Sequence, residues 1–341
     1  MKRNITMRDI ANELNVSTVT VSKALADKEG VSEALKNQIK ELAIKRGYKY
    51  NAVAKGMKEG CTYNIGILVS ERFMNDKNNS FYWNMYQQIV KYLTKLNYAG
   101  ILELISLEDE KQCKLPNLIE NNKVDGIIML GQVKHRYIDF ILDQNIPLVF
   151  LDFYDKHFDM DSIVSDNMYG AYLITSYLVQ NGHKDIGFVG NIYQTSSILD
   201  RYLGYYKTLV ENKLEIVPEW VITDRDEDGK YCDFTLPSKM PTAFVCNCDE
   251  VAFYFIQYLN EQGFKVPEDI SVVGFDNFIY SSLSRPQITT VEVEIESMSE
   301  FAVTTLLRKI KDENYKVGRK VVAGNLVIKD SARSIKNEDE A

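Results

Sequence analysis

The sequence predicts an α/β protein in three parts: a small three-helix head, a short hinge, and a two-lobed body of doubly wound parallel sheets. Three observations carry this. Serine or threonine stands at the start of three short helical patterns before residue 50, where a side-chain oxygen can satisfy the first free amides. From Ile65 onward, short apolar runs alternate with amphipathic stretches, as strands do when they cross over through helices. The alternation persists for about 280 residues, more than one sheet comfortably holds, so two lobes are expected.

Thr6 is placed to cap a first helix running to about Leu14, and Asn15 and Val16 make a turn. Ser17 caps a second helix to about Leu25, and residues 27–30 form a polar loop. Ser32 caps a third helix, in which Leu35, Ile39, Leu42 and Ala43 keep helical spacing until Gly47 stops it. Residues 52–58 are compatible with a helix too short to be stable alone in water. In the body, strands are expected at 65–69, 100–104, 126–130, 148–151, 186–189, 243–246 and 271–275. Helices are expected at 85–96, 138–144, 171–179, 202–210 and 251–261. The charged tail from Lys336 is expected to be disordered, and it has no leucine heptads for a tetramerising coil.

Bulk properties narrow the function classes. A chain of 341 residues, 45% hydrophobic and 26% charged, has an ordinary globular composition. No run of about 18 apolar residues could span a bilayer, and the start Met1-Lys2-Arg3-Asn4 leads into a polar helix, so a cytoplasmic location is expected. Cys61, Cys113, Cys232, Cys246 and Cys248 are scattered and odd in number, which fits reduced thiols. Cys246 and Cys248 lack a second pair or a nearby histidine, so no metal and no cofactor is expected. The net charge of −8 is unevenly spread. Residues 1–60 carry 12 Lys+Arg against 7 Asp+Glu, and the rest carry 28 against 41. A basic head on an acidic body points to a polyanion met by the head alone.

The head's pattern says which polyanion. Ala11, Leu14, Val16, Val21 and Leu25 are spaced for helix–helix packing, while residues 17–23 are otherwise small, hydroxylated or basic. Compact side chains on a second helix let it approach base edges in a DNA major groove.

Separated segments then give a wider resemblance. They are Arg8-Asp9-Ile10-Ala11, Val16-Ser17-Thr18-Val19-Thr20-Val21-Ser22, Asn51-Ala52-Val53-Ala54, Val124-Asp125-Gly126-Ile127-Ile128 and Gly182-His183-Lys184-Asp185-Ile186. To these are added Arg201-Tyr202-Leu203-Gly204-Tyr205 and the run from Val266 to Asp276. In this order and spacing the chain resembles the LacI/GalR family of bacterial transcriptional regulators over nearly its whole length. The resemblance implies a homodimer on a pseudo-palindromic double-stranded operator, and a body like a type I periplasmic binding protein with an effector between its lobes. It divides the chain into a head, 1–50, a hinge, 51–62, and a core, 63–341. Lobe 1 would take about 63–163 and 292–320, and lobe 2 about 164–291 and 321–335.

Carried over by position, Thr18, Val19 and Lys23 face base edges, Ser17 meets a phosphate, and Thr6, Thr20 and Ser22 contact the backbone. Lys23 can donate to guanine, and Val19 can touch a thymine methyl; Val21 belongs to the core. Asn51, Ala54, Lys55 and Met57 fall in the minor-groove hinge, with Met57 where a wedging leucine is usual. Lys55 and Gly56 stand where Arg and Ser are common, and Gly56 weakens that helix. In the cleft, Arg201 would donate to ligand oxygens, and Asp276 and Asp152 would accept from them, although Arg201 and Asp276 could equally pair with each other. Ser70 at the end of the first strand, and Phe81, Tyr82 and Trp83 just before the next helix, border the same cleft, where rings can stack on sugars. Tyr154, Tyr193 and Trp220 are further aromatic candidates. Cys248 replaces the usual amide in Asn247-Cys248-Asp249. Asp249 can still cap the following helix, and Asn247 could offer its own amide were it not turned the other way on a strand.

The function expected is a regulator, in all expectation a repressor of carbohydrate-utilisation genes, whose operator affinity follows a saccharide effector. The alternatives are a regulator governed by a partner protein, and a sugar-binding protein without DNA function. No enzyme is expected, because none of the three histidines forms a triad or metal cluster with named partners.

Overall fold

A computed structural model describes residues 5–48, 60–74, 80–227 and 229–336. The chain separates into two compact units, 1–62 and 63–341.

The first unit holds α1 (Met7–Glu13), α2 (Thr18–Leu25) and α3 (Glu33–Arg46). Each start is fixed by the expected residue. The Thr6 hydroxyl accepts from the Asp9 amide at 3.3 Å, and the Asp9 carboxylate accepts from the Thr6 amide at 2.8 Å, a reciprocal capping box. Ser17 accepts from the Thr20 amide at 3.0 Å and Ser32 from the Leu35 amide at 3.4 Å. Gly47 ends α3 at a φ of 67°. Ile10, Ala11, Val21, Ala24, Ile39 and Ala43 form the small core. The Arg46 guanidinium donates to both Glu13 carboxylate oxygens, at 3.0 and 2.9 Å, fastening α3 to α1.

In the second unit the described helices are α4 (Ser80–Lys95), α5 (Leu107–Gln112), α6 (Asn117–Glu120), α7 (His135–Leu142), α8 (Asn167–Gln180), α9 (Ser196–Glu211), α10 (Asp249–Glu261), α11 (Ile279–Leu283) and α12 (Ile295–Lys311). The first lobe's sheet is parallel, in the order β11 (Arg319–Val322), β5 (Ser162–Ser165), β4 (Leu148–Leu151), β3 (Gly126–Leu130), β1 (Asn64–Ser70), β2 (Ala99–Ile105). The second lobe's sheet, also parallel, runs β7 (Val221–Ile222), β6 (Ile186–Val189), β8 (Ala243–Cys246), β9 (Ser271–Val273). β10 (Thr290–Glu292) and β12 (Asn325–Val327) pair antiparallel. Thus the chain crosses between the sheets after β5, around β10, and between β11 and β12. β3, β4, β5, β6, β8 and β9 are buried throughout, as parallel strands covered on both faces must be.

The seven expected strands and five expected body helices are present; the strands at 126–130, 148–151, 186–189 and 243–246 match to the residue, and the other elements have shifted ends. β5, β7, β10, β11 and β12 were not expected, because each is a run of two to four residues, several with polar members. α12 was missed too: its buried stripe of Met298, Ala302, Val303 and Leu306 is diluted by serine, threonine and glutamate. The strand expected to reach Phe275 ends at Val273. There Gly274 passes so close to Asp249 that a Cβ would lie 2.2 Å from a carboxylate oxygen.

α8 and α9 meet at Gly204, where a Cβ would sit 2.1 Å from the Met168 carbonyl oxygen and 2.8 Å from the Tyr172 nitrogen. Backbone cannot yield as a side-chain tip can. Gly204→Ala is therefore expected to cost about 3 kcal/mol, read from the urea midpoint of the full chain. An unchanged midpoint would contradict this packing. Among the described residues, no helix is long and apolar enough to cross a membrane.

Candidate functional site

On the head, α2 turns two faces to different tasks. Val21 and Ala24 are fully buried, while Ser17, Thr18, Val19, Ser22 and Lys23 are exposed and Thr20 is half-buried. A valine 63% exposed at position 19 needs a reason that internal packing does not supply. The Ser17 hydroxyl sits at the amide-rich start of α2 and also bonds the Thr20 hydroxyl at 2.8 Å. Its capping role holds, and the same helix end favours a phosphate oxygen. Thr6 is exposed at the start of α1.

In the body, charged side chains gather at carboxyl ends of strands from both sheets, the end at which parallel sheets open to ligands. Asp152 follows β4 in the left-handed region, with a φ of 67°. It is 5% exposed and accepts from the Tyr82 hydroxyl at 2.8 Å. Asp276 follows β9 at a φ of 110°. Arg201, on α9, reaches between elements. Its Nε donates to the Asn167 side chain at 2.8 Å and its Nη1 to the Asn247 main-chain carbonyl at 2.5 Å. Its Nη2 lies 3.2 Å from Asp276 Oδ1, and the guanidinium stacks on Phe275 at 3.9 Å. That contact is an ion pair by distance, yet Asp276 Oδ1 lacks a well-aligned hydrogen bond, as does Asp152 Oδ1.

Burial is the largest influence on both carboxyls. It pushes Asp152 up to about 6 against the pull of Arg201 and Tyr82. It pushes Asp276 up to about 7, opposed by Arg201 and reinforced by Asp152. Tyr82, whose own phenol is pushed up by burial and by Asp152, packs against Phe73 at 4.9 Å and edge-on to Phe81 at 5.3 Å.

Beside this group, Asp224 accepts from the Asn191 amide at 2.7 Å, from Arg225 at 2.8 Å and from the Asn247 side-chain amide at 2.9 Å. Arg225 lies over the Tyr231 ring at 4.9 Å, and the Tyr231 hydroxyl donates to Glu250 at 3.0 Å. Burial raises Glu250 to about 7 and raises the Cys248 thiol, which Asp276 pushes further. Two hydrogen bonds tie the lobes together near the cleft. Tyr154 donates to Asp200 at 2.9 Å, and the Ser196 amide donates to the Gln132 side chain at 2.8 Å.

Comparison with known proteins agrees with both parts. Residues 6–51 match the model for bacterial regulatory proteins of the lacI family, and residues 175–332 match a periplasmic binding protein-like domain. The HTH-type transcriptional repressor PurR of Glaesserella parasuis is 28% identical over 342 residues, covering 97% of this chain and 99% of its own. The ribose operon repressor of Haemophilus influenzae is 27% identical over 335 residues, with the same coverage. The chain carries a LacI-family helix-turn-helix head and a periplasmic binding protein-like domain. Among solved structures, the lac repressor dimer bound to operator and an anti-inducer superposes with a TM-score of 0.78 at 21% identity, covering 97% of this chain and all of that one. A LacI-family regulator from Enterococcus faecium with bound ribose gives 0.65 at 22% identity, covering 80% of this chain and all of its own. These likenesses show the fold. With these two domains the chain is a DNA-binding transcriptional regulator with an effector-binding body.

The geometry corrects several sequence expectations. Ser70 is fully buried, its hydroxyl 3.5 Å from Glu110, so it lies under the cleft wall rather than on it. Phe81, Tyr82 and Trp83 form the first turn of α4, and successive helical positions diverge. Tyr82 reaches Asp152, Phe81 packs into the core, and Trp83 is exposed against Tyr86 at 5.4 Å. The Asn247 amide is held by Asp224 and the Val189 carbonyl; only its main-chain oxygen meets Arg201. Asp249 does not cap α10, since its carboxylate accepts from the Phe278 amide at 2.8 Å and the Thr290 hydroxyl at 2.6 Å. Trp220 is core, donating to the Lys239 carbonyl, and Tyr193 is 91% exposed. Asn51, Ala54, Lys55, Gly56 and Met57 lie outside the described residues.

Sequence reading missed Arg225, Tyr231 and Glu250. The signal available was Asp224-Arg225 directly after the apolar Val221-Ile222, a strand end too short to be recognised as one.

Proposed function

We propose that this chain is a dimeric repressor whose grip on a pseudo-palindromic operator is set by a saccharide in the interlobe cleft. The observation that carries this reading is Arg201, paired at 3.2 Å with the half-buried Asp276 of the second sheet and acting electrostatically on the buried Asp152 of the first. Acceptors fixed at strand ends beside an aromatic wall of Phe73 and Tyr82 suit the hydroxyls and apolar face of a sugar ring. The names of the relatives support repression, and the ribose-bound neighbour supports a sugar. A ligand that binds both lobes favours one lobe arrangement over another, and only that difference in affinity can change DNA binding.

In this reading Thr18, Val19 and Lys23 meet base edges, Ser17, Thr6, Thr20 and Ser22 meet the phosphate backbone, and Asn51, Ala54, Lys55 and Met57 act in the minor groove. The parts are a head, 1–50, a hinge, 51–62, and two lobes near the expected limits, with β5 and β11 carrying lobe 1 on to residues 165 and 322. Lys23→Ala is expected to relax preference at one symmetric pair of operator bases, costing about 1–3 kcal/mol on the preferred sequence and little on variants at that pair. Equal weakening on every operator variant would assign Lys23 to phosphate instead. Calorimetric titration of the full chain with a panel of monosaccharides tests the effector half. No heat or stabilisation with any sugar would refute it.

A further inference from the structure

The cleft has acceptors to spare and few donors. Among the described residues, four buried side-chain polar atoms lack a hydrogen bond, and three are carboxylate oxygens of this region: Asp152 Oδ1, Asp276 Oδ1 and Glu250 Oε1. Asp276 Oδ1 has only the poorly aligned Arg201 Nη2 at 3.2 Å, and buried acceptors served so poorly are costly, so each marks a place where a donor belongs. The neighbouring cations are already engaged. Arg201 serves Asn167 and the Asn247 carbonyl and has one nitrogen beside Asp276. Arg225 pairs with Asp224 at 2.7 Å and stacks on Tyr231, and Arg72 pairs with Glu110 at 3.2 Å, its Nε, the fourth unpartnered atom, being the one donor left unspent among these four atoms. Burial keeps the Cys248 thiol protonated, and a protonated thiol donates only weakly.

Counting charges gives the same direction. Arg225 pairs with Asp224 and also acts on Asp276 and Glu250, so two guanidiniums, Arg201 and Arg225, face four carboxyls, Asp152, Asp224, Asp276 and Glu250. A neutral sugar can supply hydroxyl donors but leaves that imbalance in place. An anion, such as a sugar phosphate, would add to it. An ammonium has three donors and a positive charge.

Resting on the saccharide reading above, we infer that the effector is a polyhydroxylated molecule carrying one protonated amine, with the ammonium seated between Asp152 Oδ1 and Asp276 Oδ1, the latter shared with Arg201. The hydroxyls then meet Tyr82 and the remaining Arg201 hydrogen, and the ring lies against Phe73 and Tyr82. The raised acidities of both carboxyls are consistent with a site poorly balanced until a cation arrives.

The test is a matched titration of the full chain at pH 7, by calorimetry and thermal unfolding. The probes are glucosamine, galactosamine and mannosamine, their parent hexoses, their N-acetyl forms and glucose 6-phosphate. We expect an amine to bind at least tenfold tighter than its hydroxyl and acetamido counterparts. In Asp276→Asn and Asp152→Asn, checked for folding by unchanged cooperative melting, that advantage falls below threefold. A hexose, acetamide or phosphate that binds as tightly as its matched amine overturns the ammonium and leaves the saccharide reading standing. Binding by none of the panel overturns both. An amine advantage that survives both substitutions places the cation elsewhere and overturns this seat.

Discussion

Full-length protein carrying Arg201→Ala is expected to unfold about 3–5 kcal/mol more easily at pH 8, the usual cost of removing one side of a buried ion pair. Arg201 is 6% exposed and serves three partners, so the substitution strands Asp276, frees the Asn247 carbonyl and Asn167, and uncovers Phe275. The penalty should shrink as pH falls, because the stranded carboxylates can take up protons.

The intact protein already leans that way. Asp152 at about 6 and Asp276 at about 7 stand above their ordinary 3.8, and Glu250 at about 7 stands above 4.5. The folded state therefore holds more protons than the unfolded state across roughly pH 4 to 7. The stability these groups contribute is full below their unfolded values and is lost as pH rises through 6 and 7. His183, lowered by burial from 6.5, acts oppositely and contributes only above its unfolded value. Lowering the pH from 8 to 5 should thus raise the urea midpoint, with the gain steepening below 7 and only partly offset by His183 below 6.5. A flat profile in the intact protein, or one that Asp276→Asn leaves unaltered, would contradict the raised carboxyls.

Removing residues 1–62 should abolish DNA retention entirely, while the 63–341 body keeps a cooperative unfolding transition. The boundary is the one at which the chain divides into compact units, and each unit has its own apolar core. In the complete chain, DNA affinity should fall steeply with salt, by roughly three orders of magnitude between 50 and 200 mM if about six phosphates are held. Residues 61–341, by contrast, carry 28 Lys+Arg against 41 Asp+Glu, a net negative charge that repels a polyanion. DNA retention by the truncated body would locate the interface wrongly.

Much of this was legible because the signals were local. Thr6, Ser17 and Ser32 cap their helices through hydroxyl–amide contacts three residues apart, and Gly47 closes α3 through its own backbone freedom. The buried strands of both sheets read directly as apolar runs. Non-local geometry did not read through. Whether Ser70 faces a ligand or Glu110 depends on a helix forty residues away, and the fate of the Asn247 amide depends on Asp224 after an inconspicuous two-residue strand. Arg201 and Asp276 were named as ligand groups or as each other's partners, and the structure shows them paired; contact with a ligand remains a proposal. The unfilled oxygens beside them are a property of burial, which sequence spacing does not encode.

The central claim is that one molecule reads a symmetric DNA site and releases or tightens it according to the cleft's occupant. Sequencing the genomic DNA fragments retained by the purified full chain, with and without the sugar panel, measures this most directly. The account predicts enrichment of one pseudo-palindrome whose yield changes when a cleft ligand is added and stays constant in Asp276→Asn. Retention of fragments without a shared motif, or a motif indifferent to every cleft ligand, would contradict it.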